Sequence, residues 1–138
     1  MAEATGEPVN PMGEPHDICA STDLEDGGKG LVFDVVEHRR PARAFVLRFG
    51  GQVVGYLNRC AHVPAELDWQ PGEFLDADRR EIVCSIHGAT YHPLTGRCTG
   101  GPGGRGRLKP IHVIERGGRV CWYPSDDVQP VFFDTPDA

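Results

Sequence analysis

The 138-residue chain carries 14 Lys and Arg against 20 Asp and Glu, a formal charge of −6, with 18 Gly and 12 Pro. That length makes one domain, able to bury roughly two-thirds of its unfolded surface, and the Gly and Pro content favours short strands and turns over long helices. No run reaches the roughly 20 apolar residues of a membrane helix. The scattered basic residues and a pI of 5.4 argue against nucleic acid as a partner.

In chain order, residues 1–15 hold three prolines and few apolar groups and read as a mobile N-terminal arm. Met1–Glu7 has neither the basic start nor the apolar stretch of a secretory signal, so the cytoplasm, where thiols stay reduced, is the expected compartment. Residues 16–123 read as the domain, and 124–138 as an acidic C-terminal tail. Residues 1–28 hold seven acidic and no basic residues, and 124–138 hold four acidic and no basic ones. The remainder, 29–123, has 14 basic against nine acidic residues, a balance of +5. Acidic ends of this kind read as solvating; the alternative is a basic docking face for an acidic partner.

Gly30–Val36 has the β-branched content of a strand. Ala42–Phe49 places Phe45, Leu47 and Phe49 on one face at period two, and Gly50-Gly51 turns the chain into Gln52–Leu57, a β-hairpin. Ile82-Val83-Cys84 is a short strand. Ile111–Ile114, the Gly117-Gly118 turn and Arg119–Tyr123 make a second hairpin, in which Cys121 is expected in the core. Nothing supports a helix of three turns. The expectation is an all-β fold of short antiparallel strands, sandwich or barrel. Two long irregular segments, Cys60–Arg80 and His87–Pro110, interrupt it, and loops of that length in a compact domain are usually functional.

Each long segment lies at a Cys/His pair: Cys60-Ala61-His62, then 21 residues, then Cys84-Ser85-Ile86-His87. Either pair alone would read as a small buried thiol beside an ordinary histidine. Two pairs, each after an apolar strand and opening a Gly- or Pro-containing loop, supply two thiolates and two imidazoles to a soft metal centre.

At these residues the sequence resembles the Rieske iron–sulfur family, whose motif is C-x-H in one loop and C-x-x-H-G in a second. Here the motif reads Cys60-Ala61-His62 and Cys84-Ser85-Ile86-His87-Gly88, continued by Tyr91, Pro93-Leu94-Thr95-Gly96 and Gly101-Pro102. The resemblance covers roughly residues 16–123. It implies a β sandwich or barrel with a cluster-binding subdomain of two Cys/His loops and a proline loop. It also implies one [2Fe–2S] cluster per chain, with Cys60 and Cys84 on one iron and His62 and His87 on the other. Neutral imidazole donates less charge than thiolate, so the histidine-bound iron accepts the electron, and electron exit through His62 or His87 is expected. Gly88, Ala89, Tyr91 and Pro102 would line the cluster, and Arg97, Arg105, Arg107 and Lys109 would form a basic docking rim.

Departures from the family pattern point to its low-potential branch. High-potential respiratory members join an extra Cys in each loop as a disulfide; Ala65 and Ile86 stand there. Ala89 stands where those members have a Ser hydroxyl that donates to a cluster sulfur, and losing such a bond lowers the potential. The gap between His62 and Cys84 is longer than in small Rieske ferredoxins, and Pro64 replaces a common Gly, which bears on loop shape and partner fit.

The stretch Gly101–Gly106 matches GxGxxG but lacks the following helix of a nucleotide site. Three functions remain. The leading one is a soluble Rieske-type ferredoxin of a ring-hydroxylating dioxygenase system, carrying single electrons from a reductase to a terminal oxygenase. It is expected to be an electron-transfer component with no catalytic residue of its own. The alternatives are a small accessory subunit of a larger oxidoreductase of the nitrite reductase type, and a structural Cys2His2 zinc module for protein interaction.

Overall fold

The computed structural model describes residues 15–61, 65–84, 88–101 and 106–131. Among them, regular structure is strand throughout, apart from one 3-10 turn at Ser21–Asp23. The strands are β1 His16–Ala20, β2 Leu31–Glu37, β3 Arg40–Phe49, β4 Gln52–Leu57, β5 Ile82–Val83, β6 Thr90–Tyr91, β7 Cys98–Gly100, β8 His112–Arg116, β9 Arg119–Tyr123 and β10 Val128–Pro130. They form three antiparallel sheets of order β1-β9-β8, β10-β2-β3-β4 and β5-β6-β7. This is the expected all-β fold. No helix of the described residues is long and apolar enough to cross a membrane.

β3 is the central element. Ala44, Phe45, Val46 and Leu47 are buried in succession, so both faces of the strand are covered. Phe45 and Leu47 point into a core shared with β5, β6 and the two Cys-bearing loops, as their spacing predicted, with Phe49 packed at its margin. Ala44 and Val46 point the other way, into clusters with Trp122 and with Val120 and Cys19. β4 runs so close to β8 that a Cβ on Gly55 would lie 2.6 Å from Val113 Cγ2. Only a glycine lets these two layers meet there.

Both Gly-Gly hairpins form as expected, with positive φ at Gly50, Gly51, Gly117 and Gly118. A third two-residue turn, His38-Arg39 between β2 and β3, takes φ of 50° and 69° with two side-chain-bearing residues. Such turns ordinarily hold Asn-Gly, which is why the sequence did not mark it.

Three expectations change. Cys121 is half-buried on the outer side of β9, its Sγ 3.9 Å from Asp17 Oδ1; Val120 and Trp122 face inward, and Cys19 is the buried thiol of this sheet. The segment His87–Pro110, read as irregular, contains β6 and β7. The stretch 124–138, read as a tail, supplies β10, which pairs with β2 and buries Val128 in the core. A three-residue strand ending in Pro carries too little pattern to be seen among acidic neighbours.

Candidate metal centre

The two Cys-bearing loops are closed in the same way. The amide of Cys60 donates to the carbonyl of Ala65 at 2.8 Å, and the amide of Cys84 donates to the carbonyl of Ala89 at 2.7 Å. In each loop the bond spans five residues and encloses the Cys/His pair at the end of a strand. Gly88 N–H donates back to the carbonyl of Cys84 at 3.0 Å, a tight turn that Gly88 completes with φ of 76°. The two thiols are 4% and 1% exposed and belong to one apolar cluster. The fold therefore buries Cys60 and Cys84 in the same cluster. His62, with Val63 and Pro64, and His87, with Ser85 and Ile86, lie outside the described residues.

Tyr91 joins the loops. Its hydroxyl lies 3.3 Å from Cys60 Sγ and accepts the amide N–H of Ala61 at 3.1 Å. Burial and the neighbouring Cys60 push its pKa up, so the phenol stays protonated and can serve as a donor. A thiolate can only accept, so beside a Cys60 thiolate the phenol must be the donor. Ala89 is fully buried in the same cluster and offers no hydroxyl, as the sequence indicated. Gly101 has φ of 92°, and a Cβ there would lie 2.6 Å from Ala89 Cα. The third loop thus begins pressed against the second; Pro102 lies outside the described residues. Tyr56 buttresses the second loop from below by donating to the carbonyl of Pro93 at 2.7 Å. Burial raises its pKa to about 12.

The long gap between the pairs folds as a platform. Gln70-Pro71-Gly72-Glu73 is a turn closed by Glu73 N–H on the carbonyl of Gln70 at 2.8 Å, and its Gly72 carbonyl accepts from Gly30 N–H at 2.8 Å. Leu67, Phe74 and Leu75 from this segment are buried beside the thiols, and Phe74 stacks on Phe45 with centroids 3.8 Å apart. Asn58 fixes the start of the platform. Its Nδ2 donates to Asp68 Oδ1 at 3.0 Å, and its Oδ1 accepts Leu67 N–H at 2.8 Å. Sequence reasoning missed Asn58, because an Asn two residues before a Cys looks like any turn residue.

The basic rim divides. Arg97 and Arg107 are exposed and face each other across an isolated antiparallel bridge; Arg105 lies outside the described residues. Lys109 is occupied within the fold: its Nζ lies 3.1 Å from Glu37 Oε2 and 3.0 Å from Asp127 Oδ2. Glu37 also takes both arms of Arg59, at 2.6 and 2.9 Å, and these hydrogen bonds hold its carboxyl at about 2 despite its burial. The residue next to Cys60 is thus tied to a buried carboxylate that the sequence did not single out.

The described residues fit an iron–sulfur centre by their chemistry: two buried thiols stand at the roots of two loops, one of them with a hydroxyl 3.3 Å from its sulfur. A match to the model of the Rieske [2Fe–2S] domain over residues 14–113 decides the family. The chain belongs to the Rieske [2Fe–2S] family. Its cofactor is accordingly a Rieske-type [2Fe–2S] cluster, which sets aside the zinc module. No curated protein matches the chain. Among solved structures, it is similar to the ferredoxin of carbazole 1,9a-dioxygenase from Nocardioides aromaticivorans IC177, with a TM-score of 0.63 and 24% identity over 80% of this chain and 98% of that one. It is also similar to a chain in the complex of reduced oxygenase and oxidized ferredoxin in carbazole 1,9a-dioxygenase, with a TM-score of 0.59 and 22% identity, covering 79% and 92% of the two chains. In the reduced complex between oxygenase and ferredoxin of that system, a matched chain is covered over only 28% of its length, with a TM-score of 0.62 and 22% identity. At these identities the likeness is one of Rieske fold.

Proposed function

We propose that this Rieske protein is a one-electron carrier between a reductase and a terminal oxygenase, with Cys60 and Cys84 holding one iron of its cluster and His62 and His87 the other. The observation that carries the reading is the burial of two thiols in one cluster, at the roots of two identically closed loops whose sequences each contain a histidine. The cluster, when bound, accepts and releases a single electron. The chain supplies its surroundings. Tyr91, Ala89, Leu67 and Phe74 keep water from the thiol side, and the Tyr91 phenol stabilises charge on Cys60. With the thiols buried, we take the electron to pass on the imidazole side.

The likeness to a dioxygenase ferredoxin over 98% of that chain supports the carrier reading over that of an accessory subunit, as does the presence of all four ligand positions. Exposed Arg97 and Arg107, with Arg105 beside them in sequence, supply a basic edge for an acidic face of the redox partner. We place the protein in the cytoplasm, on the reduced-thiol argument made from its sequence.

The test is the EPR spectrum of the anaerobically purified, dithionite-reduced chain, recorded beside the visible spectrum of the oxidised form. A rhombic S = ½ signal, with a g average below that of all-Cys [2Fe–2S] centres, is expected. Cys60→Ser and His87→Ala should each abolish it. A colourless protein holding zinc would overturn the carrier reading.

A further inference from the structure

The C-terminal segment that forms β10 lies beyond residues 14–113, the span matched by the Rieske domain, yet it is connected to the first ligand loop by a continuous chain of charges. Asp127 Oδ2 lies 3.0 Å from Lys109 Nζ, which lies 3.1 Å from Glu37 Oε2; Glu37 in turn takes Arg59 at 2.6 and 2.9 Å. Arg59 directly precedes Cys60. The backbone runs parallel to this chain. Asp127 accepts His38 N–H at 3.0 Å, Val128 pairs with Glu37, and Lys109 accepts Leu57 N–H at 2.9 Å.

We infer that residues 124–131 are a strap that positions the first ligand loop, acting through Asp127, Lys109, Glu37 and Arg59. The four side chains balance to zero net charge, and the central carboxylate is 8% exposed. A buried carboxylate of this kind demands its partners, because losing one leaves an uncompensated charge. An isolated exposed pair such as Lys109 with Asp127 is worth little. Here, however, Lys109 is held between two carboxylates, so releasing it from Asp127 loosens its hold on Glu37. The strap also holds the exposed His38-Arg39 turn through the Asp127 carbonyl, which accepts His38 N–H at 3.0 Å and supports its two positive φ values. The four are positioning residues: none is a proposed ligand, and each acts on Cys60 through the backbone of Arg59.

The inference rests on Cys60 being a cluster ligand, and the experiment separates the two ideas. The full chain is compared with Asp127→Asn, Asp127→Glu, Arg59→Met and the Asp127→Asn/Arg59→Met double variant. Two readouts are the bleaching rate of the visible absorption under an iron chelator, and deuterium uptake by residues 57–61 in the folded protein. Asp127→Asn should bleach about threefold faster or more and raise uptake at 57–61, while Asp127→Glu stays near wild type. In the Arg59→Met background, Asp127→Asn should add nothing. Unchanged bleaching and uptake in Asp127→Asn, or the same acceleration with and without Arg59, would overturn the strap. A colourless wild type would overturn the cluster reading, and uptake at 57–61 would still decide whether the strap holds that loop.

Discussion

The hydroxyl of Tyr91 stands 3.3 Å from the sulfur of Cys60 and is fixed there by the amide of Ala61. A donor at a ligand sulfur stabilises negative charge, and reduction adds negative charge to the centre, so with Cys60 as the proposed ligand the contact is expected to raise the reduction potential. Tyr91→Phe removes the donor and keeps the ring that fills the core. The variant should keep its fold and its colour while its midpoint falls by on the order of 50 mV, the one-electron equivalent of about 1 kcal/mol. Protein-film voltammetry checks this. A midpoint equal to that of the wild type would show that the phenol does not donate to the ligand.

Ala89 stands two residues before Tyr91, fully buried in the same cluster, at the close of the second Cys-bearing loop. Ala89→Ser should raise the midpoint, because it adds the second donor that the high-potential members of the family possess. The two substitutions are two residues apart on one segment and share one buried cluster. Their shifts oppose each other, so the Tyr91→Phe/Ala89→Ser variant should return the potential towards the wild-type value, and its departure from the sum of the single shifts measures the coupling between the two neighbours.

Much of the site was legible because its chemistry is local. Two Cys/His pairs, each after an apolar strand, mark candidate ligand loops although one pair alone would not, and Tyr91 follows four residues after His87. The Gly-Gly turns and the period-two face of Phe45 and Leu47 were legible for the same reason. What escaped depends on partners far apart in sequence. Lys109 reads as one more exposed cation until Glu37 and Asp127 are brought beside it. Cys121 reads as core until its strand pairs with β1, which places it on the outer side near Asp17. The gap from Ala65 to Glu81 has no strand pattern because it is held by Asn58, Asp68 and the Gly72–Gly30 bond, and none of these contacts leaves a periodic signal.

Gly101 is where the third loop meets the second. Its φ of 92° disfavours any side chain, and a methyl there would come within 2.6 Å of Ala89 Cα and 3.0 Å of Ala89 N. The neighbour is backbone and cannot rotate away. Gly101→Ala should cost about 2–4 kcal/mol, the sum of positive-φ strain and overpacking. It should also displace the second Cys-bearing loop, so that the cluster is lost faster than from Gly50→Ala, where a positive φ of 60° stands in open space. Denaturant unfolding followed by circular dichroism and by visible absorption tests both parts. Equal stability and equal cluster loss in the two variants would show that the third loop does not bear on the second.

Glu37 makes stability depend on acid. Its carboxyl sits at about 2 in the folded protein against an ordinary 4.5, because Arg59 and Lys109 bond to its charged form more strongly than burial opposes it. A depressed carboxyl stabilises the fold fully above its unfolded pKa. That stabilisation is lost as pH falls from about 4.5 towards 2, where the folded form also takes up the proton. The shift corresponds to roughly 2–3 kcal/mol at neutral pH once the solvent exposure of Arg59 is allowed for. Glu37→Gln keeps the shape and removes the charge. It should be less stable than wild type by that amount at pH 7, and the difference should shrink below pH 4.5 until the two curves meet. Urea midpoints for both proteins between pH 7 and pH 3 measure it. A difference that stays constant down to pH 3 would mean that Glu37 contributes by packing alone, and that its bonds to Arg59 and Lys109 do not stabilise the charged form.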